Sequence, residues 1–323
     1  MDLALFIAGI ALIVLTLVDF LYTTLSCNGS GRLSTTVNRA LDRVLTSGSQ
    51  VLRNWSGIIH LLFTLATWVV LLLTGGLLIV SAYPEMVVLP PSGKIADLSE
   101  RFYFLAFTFS TLGMGDYTPG TEMGRYFTAV YSLLGFGVLT TAITYILSVT
   151  GAATKKKTLA TFISTMGEHP ADLFDYFTTK EDGSFFSDRI DDLVEQINMH
   201  VNDHLSYPIV HYFHSDERPW SAIIQLASLQ ECVLALRVHY AERKDILAHL
   251  RRLERTINRY LELARVPEYR LESIDTMLLT RRKGWYDQIL KSPTCEDKPT
   301  ENCRAFGVLL DEAGHSWDTV FDA

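Results

Sequence analysis

The chain has few charged residues in its first half and lacks the motifs of common soluble enzymes. Residues 1–150 carry 7 lysines and arginines and 8 aspartates and glutamates, whereas residues 151–323 carry 21 and 28. No Gly-x-Gly-x-x-Gly follows a strand-like segment, so a dinucleotide-binding domain is not expected. No His-Asp dipeptide points to a metal phosphohydrolase, and the histidines lack the pattern of a zinc protease. We therefore nominate no catalytic residue and expect no enzyme.

Several sensor and partner classes are excluded in the same way. The four cysteines form no Cys-x-x-Cys pair. Asp182-Gly183 resembles part of a calcium loop, but alignment on that glycine places Thr178 first and Arg189 last, where carboxylates are needed. No helix carries arginine at every third position, which excludes a voltage sensor. The second half has a net charge of −7, so nucleic acid is not expected as a partner.

What the chain has is long apolar runs, with 48% hydrophobic residues overall. Leu3–Leu25, Ile58–Val80 and Tyr126–Val149 are each long enough to cross ~30 Å of hydrocarbon, which takes ~20 helical residues. The first run could instead be a cleaved signal peptide. Because Met1-Asp2-Leu3 contains no basic residue, we favour a retained helix. The sequence therefore predicts a multi-pass protein of the plasma or inner membrane, in contact with the lipid bilayer.

Two groups of basic residues predict the topology. The segment from Asn28 to Asn54 carries four arginines and a single acidic residue, Asp42, and three lysines follow the third run at 155–157. By the positive-inside rule both segments are cytoplasmic, which places the N-terminus outside and the C-terminus inside. One face of the first segment is apolar, so it is either an amphipathic helix on the inner membrane surface or an ordinary connector with a short helix. Its apolar residues are Val37, Leu41, Val44 and Leu45.

A short glycine-containing motif lies between the second and third runs. Thr111-Leu112-Gly113-Met114-Gly115-Asp116 follows a short aromatic helix, Leu98–Ser110, which Asp97 and Glu100 begin with a capping box. Two glycines at alternate positions suit a backbone that turns its carbonyl oxygens inward, and rings of carbonyls can replace the water shell of a cation. The alternative is an ordinary turn between helices.

This motif, with its flanking apolar helices, resembles the pore loop of tetrameric potassium channels, and the match runs from about Asp97 to Gly151. The resemblance implies an all-α membrane fold with three transmembrane helices, a re-entrant pore helix and a homotetrameric pore that binds K⁺. It implies that Asp116 supports the filter from behind. The residues implied for the filter are Thr111, Leu112, Gly113, Met114 and Gly115.

One position departs from the family pattern. Met114 stands where the family has tyrosine or phenylalanine, and methionine is flexible and lacks a phenolic donor. We therefore expect a preference for potassium with weaker discrimination, and a weakly selective monovalent cation channel is the alternative. In the third helix the resemblance places a gating hinge at Gly135, although this glycine could equally serve close packing. Counting on from the filter, Phe136, Leu139 and Ile143 would line the cavity.

Two further groups of residues are candidates. Asp19 lies within the first run, near its cytoplasmic end, and we expect it to reach the headgroups or to pair with a neighbouring helix. The second half is predicted to be nearly all helical, with a buried helix over Trp220–Tyr240. It contains a histidine group that could ligate a metal, sense protons or simply pack between helices. The group comprises His200, His204, His211 and His214.

These observations define four expected segments. They are an N-terminal transmembrane helix (1–27), a cytoplasmic linker (28–55), a pore domain (56–151) and a cytoplasmic helical domain (152–323). The leading interpretation is a potassium channel that is gated or assembled through its C-terminal domain in response to an unidentified cytoplasmic ligand or ion. A membrane-anchored receptor or enzyme with a vestigial pore is the alternative from another class.

Overall fold

The protein was analysed as a computed structural model that describes residues 2–45, 50–179, 183–264, 285–286 and 301–321. Its regular elements are almost all helices, which confirms the expected all-α fold. The sequence also predicts a loop from Lys291 to Cys303, of which residues 291–300 lie outside the described residues and residues 301–303 are helical. The α-helices are α1 (Leu3–Leu25), α2 (Arg32–Leu45), α3 (Gln50–Ala82), α4 (Leu98–Phe109), α5 (Glu122–Ser164), α6 (Pro170–Thr178), α7 (Gly183–Ser206), α8 (Ala222–His239), α9 (Lys244–Ala264), α10 (Glu301–Glu312) and α11 (Trp317–Phe321).

Three of the described helices are long and apolar enough to cross a membrane. They are α1, α3 from Val51 onward, and α5. The expected transmembrane helices are therefore present, and the chain is a multi-pass membrane protein. The chain divides into two compact units, one of Met1–Leu41 with Ile59–Val149 and one of Asp42–Ile58 with Thr150–Ala323.

In the first unit, α1 is held to its neighbours by close backbone packing and by one buried carboxylate. A Cβ on Gly9 would lie 2.7 Å from the carbonyl oxygen of Gly75, so the two helices approach at glycines. Asp19 is buried and accepts hydrogen bonds from the backbone amides of Leu33 and Ser34, in the first turn of α2. The expected pairing of Asp19 with a neighbouring helix is therefore confirmed. The carboxylate also provides hydrogen-bond acceptors for amides in the first turn of α2, which have no partner within the helix.

The chain between α3 and α5 contains a small three-stranded sheet, with two strands before α4 and one after the glycine motif. Strand β1 (Val87–Leu89) lies between β2 (Lys94–Ile95) and β3 (Thr118–Pro119), and both pairings are antiparallel. Val88 stands opposite both Ile95 and Thr118. Because β3 follows the glycine motif directly, this sheet fixes the chain where it leaves the motif.

The second unit is a helical bundle built around α8. Nearly every residue from Ala222 to Leu236 is buried, which confirms the predicted buried helix. Helix α9 has a buried stripe at three- and four-residue spacing, as its sequence periodicity predicts. Two further buried elements, α6 and α7, contribute Leu173 and Ile190 to the same core.

Candidate ion-conduction site

The site begins with the short helix α4, whose start is fixed by the predicted capping box. The Asp97 carboxylate accepts from the amide of Glu100 at 2.9 Å, and the Glu100 carboxylate accepts from the amide of Asp97 at 2.7 Å. Toward its end the helix buries Phe104, Phe107 and Phe109. The helix is therefore anchored at both ends, with its carbonyl end directed into the glycine motif.

After α4 the backbone alternates between two conformations. Thr111, Gly113 and Gly115 all have positive φ, at 60°, 60° and 84°, whereas Leu112 and Met114 between them do not. Such alternation can bring successive peptide carbonyls to one side of the chain, and rings of backbone carbonyls can bind a dehydrated cation. Thr111 adopts a conformation that is costly for a β-branched residue, and strain of this kind concentrates at functional sites.

The glycines in this segment are required by their backbone conformation and not by close contacts with neighbouring atoms. No described atom lies within 4 Å of a Cβ built on Gly113 or Gly115, so only the positive φ disfavours a side chain there. The amide of Leu112 donates to the carbonyl of Phe107 at 2.9 Å, which ties the segment to the end of α4. In the single chain the side chains of Leu112 and Met114 are 67% and 54% exposed.

Two tyrosines form contacts at the C-terminal end of the segment, and no sequence pattern predicted these contacts. The Tyr103 hydroxyl donates to the Asp116 carboxylate at 2.8 Å, and this bond raises the pKa of Tyr103. The Glu100 carboxylate accepts from the Tyr117 hydroxyl, which lowers the pKa of Glu100 and raises that of Tyr117 to about 12. We call these two contacts the outer brace. Glu100 and Tyr103 are one helical turn apart, a spacing that could have pointed to them.

Helix α5 supplies the remaining residues of the site. A Cβ on Gly135 would lie 2.0 Å from the carbonyl oxygen of Phe109, so at this position the helix packs directly on the end of α4. The helix continues without interruption through Gly135. This contact favours the packing alternative, and the hinge stays a prediction. Phe136, Leu139 and Ile143 are 60%, 37% and 60% exposed in the single chain, which leaves their face of the helix open.

The four histidines of the second unit form a row. Successive ring centroids are 6.2 Å apart for His200 and His204, 5.7 Å for His204 and His211, and 6.2 Å for His211 and His214. Within the described residues, no group of three or more histidine, cysteine, aspartate or glutamate side chains could hold a metal ion. His200 is buried beside Lys156 and His211, and desolvation with these charges lowers its pKa to about 3. His200 is therefore neutral at physiological pH.

The described residues form a multi-pass membrane protein with a short helix and a glycine-containing backbone turn between two candidate spanning helices. Residues 66–151 match the family model described as "Ion channel". This segment is therefore similar to that family of ion channels.

Similar proteins support the same class. The chain is 27% identical over 265 residues to the uncharacterized membrane protein YdjJ of Bacillus subtilis (strain 168), covering 79% of this chain and 76% of that protein. It is 41% identical over 64 residues to the human potassium channel subfamily K member 16, which is 20% of each chain. No solved structure matches. The similarity to YdjJ extends well beyond the ion-channel segment, whereas the human channel matches only a short part.

Proposed function

We propose that four copies of this chain form a pore that conducts potassium ions passively across the membrane. The observation that carries the proposal is the alternation of positive φ at Thr111, Gly113 and Gly115 directly after α4. Backbone carbonyls arranged in a ring replace the hydration shell of a dehydrated cation. One such segment cannot encircle an ion, so the proposal requires several chains around a common axis, and the family resemblance sets their number at four.

The exposed apolar surface supports assembly. Leu133, Phe136 and Ile143 of α5 are each at least 60% exposed in the single chain. In the tetramer one part of this surface lines the cavity and the rest contacts neighbouring chains or lipid. The similarity to the human potassium channel subunit supports potassium as the permeant ion.

We place the N-terminus outside and the second unit in the cytoplasm. The arginines around α2 and the lysines at 155–157 both support this orientation by the positive-inside rule. Helix α5 runs unbroken from the ion-channel segment into residues 150–164 of the second unit. The second unit is therefore proposed to set the position of the inner end of α5 and so to gate the pore.

Weak selectivity is the second candidate, and one observation favours it. The Met114 side chain is 54% exposed and has no hydroxyl with which to brace the filter. A filter that is less rigid discriminates less between potassium and sodium.

Both candidates are tested by reconstituting the purified full-length protein in a planar bilayer. Reversal potentials are measured with potassium on one side and sodium on the other. A strongly potassium-selective potential supports the proposal, and comparable permeabilities support the second candidate. Absence of any cation current from intact, folded protein would overturn both. Gly113→Ala is the matched variant, because its positive φ makes any Cβ unfavourable, and it should abolish current while leaving the protein folded.

A further inference from the structure

The second unit contains a cavity of about 330 Å³. Its wall includes Asn54 and Ile58 from α3, together with Thr150, Thr154 and Lys157 from the inner end of α5. All of its lining residues belong to the second unit. The volume falls at the lower end of the range of small-molecule sites, roughly 300–1,000 Å³. The cavity therefore fits a compact ligand and is too small for a large cofactor.

Among the described residues, the lining includes basic side chains and no aspartate or glutamate. Its basic residues are Lys156, Lys157, His211 and His214. The Lys156 ammonium donates to the backbone carbonyls of Val210, His211 and Phe213 at 3.1, 3.3 and 2.8 Å. These bonds hold the ammonium in place, but carbonyl dipoles do not cancel its charge as a carboxylate would.

Lys157, unlike Lys156, has an ammonium group that is free to contact a ligand. Its side chain is exposed, and among the described residues its ammonium makes no hydrogen bond or ion pair. Among the described residues, Asp216 and Glu312 are carboxylates that contact side chains of the lining. Asp216 accepts from the Asn54 amide, and Glu312 lies 3.5 Å from the His211 ring. Lys157 is therefore the charged group of the lining that is open to an anion.

The rest of the lining combines hydroxyl and amide side chains with an apolar, partly aromatic surface. Ile58, Phe213, Trp220, Ile223 and Leu309 supply this surface. Apolar walls with a few convergent polar groups are the usual composition of a site for a small organic molecule. An inorganic anion would leave these walls uncovered.

We propose that this cavity binds a small organic anion, a carboxylate or phosphate attached to an apolar body, with Lys157 as the group that contacts the charge. Two helices that enter the ion-channel segment, α3 and α5, both line the cavity, so occupancy should change the position of their ends and thereby the conductance. This effect on conductance rests on the proposed channel function, whereas binding does not. The anion could be a soluble metabolite or the phosphate of a lipid headgroup.

Binding is tested on the full-length protein in detergent with phenylacetate as the probe and phenylacetamide as its neutral isostere. We expect saturable stabilisation by phenylacetate and at least about tenfold weaker binding of the amide, because a charge-assisted contact is lost. Lys157→Gln should weaken phenylacetate binding about tenfold. Lys155→Gln is the matched control, since Lys155 pairs with Asp203 and does not line the cavity.

The outcomes separate the parts of the proposal. Equal binding of acid and amide, or no effect of Lys157→Gln, would overturn the site, as would absence of saturable phenylacetate binding.

Repeating the titration in nanodiscs identifies the source of the anion. Competition by phosphatidylglycerol but not phosphatidylcholine indicates a lipid phosphate, and unchanged phenylacetate affinity indicates a soluble metabolite. Binding with no change in cation current contradicts only the regulatory role, and absence of current without any probe contradicts the proposed function instead.

Discussion

The indole Nε1 of Trp68 donates a hydrogen bond to the Asp19 carboxylate at 3.1 Å. Trp68 is 1% exposed and Asp19 7% exposed, so the contact lies inside the bundle of α1, α2 and α3. The same carboxylate accepts from the Ser34 hydroxyl and from two amides of α2. A single acidic side chain of α1 therefore connects this helix to both α2 and α3.

Replacing Asp19 by alanine should destabilise the protein by about 2–4 kcal/mol, because buried donors on α2 and α3 lose their acceptor. Trp68→Phe removes a single hydrogen bond and should lower the free energy of unfolding by about 1 kcal/mol, in addition to the effect of the change in packing. Thermal unfolding in detergent measures both. Asp2→Ala is the control, since Asp2 caps the exposed start of the same helix and its loss should cost only about 1 kcal/mol. Equal effects of the two aspartate variants would contradict a central role for Asp19.

The outer brace predicts a specific effect of Tyr103→Phe. The variant keeps the ring packed against Phe107 but removes the hydroxyl that donates to Asp116. We expect current to decline at least about threefold faster during sustained recording, because the end of the proposed filter loses one of its two side-chain hydrogen bonds. Tyr126→Phe is the matched control, because Tyr126 is 68% exposed and makes no hydrogen bond within the described chain. If current declines equally fast in both variants, the outer brace does not stabilise the proposed filter.

Much of this architecture could be predicted from local patterns. The lengths of the apolar runs, the capping box at Asp97 and the periodicity of α9 each depend on neighbouring residues, and each was predicted correctly. The contacts of Asp19 with Trp68 and of Tyr103 with Asp116 join residues 49 and 13 positions apart. No periodicity specifies such pairs, because they depend on how helices pack. The cavity in the second unit was missed for the same reason, since its walls come from distant segments.

Met114→Tyr tests whether the departure from the family pattern weakens selectivity. A tyrosine at this position supplies the phenolic donor that methionine lacks, and it should raise the potassium-to-sodium permeability ratio. Reversal potentials under mixed-ion conditions measure the ratio. Met123→Tyr makes the same change at a residue that is 47% exposed and lies outside the filter, so it should leave the ratio unchanged. A ratio that is high in the unmodified protein and does not rise would contradict the expected role of Met114.

The outer brace also predicts how selectivity depends on external pH. The hydrogen bond from Tyr117 lowers the pKa of Glu100. The stability that this bond adds to the folded protein is therefore fully present above the ordinary carboxyl pKa and is lost as pH falls through the lowered pKa. The pKa of Tyr117 is raised to about 12, so its hydroxyl still donates in alkaline solution. We expect constant selectivity from about pH 6 to about pH 9 and loss only in strong acid. A change near neutral pH in the unmodified protein, absent from Glu100→Gln, would contradict this assignment.

Two glycines of α5 distinguish packing from hinge motion. Gly135→Ala places a methyl group against the Phe109 carbonyl and should destabilise the protein by at least about 1–3 kcal/mol, since neither backbone can move away freely. Gly137→Ala, two residues further on, meets no described atom within 4 Å and should be neutral or stabilising by about 0.5–1 kcal/mol. Thermal unfolding and single-channel recording are compared for both variants. If Gly135→Ala leaves stability unchanged but lowers the open probability, the residue acts as a hinge and the close contact with Phe109 is not its main role.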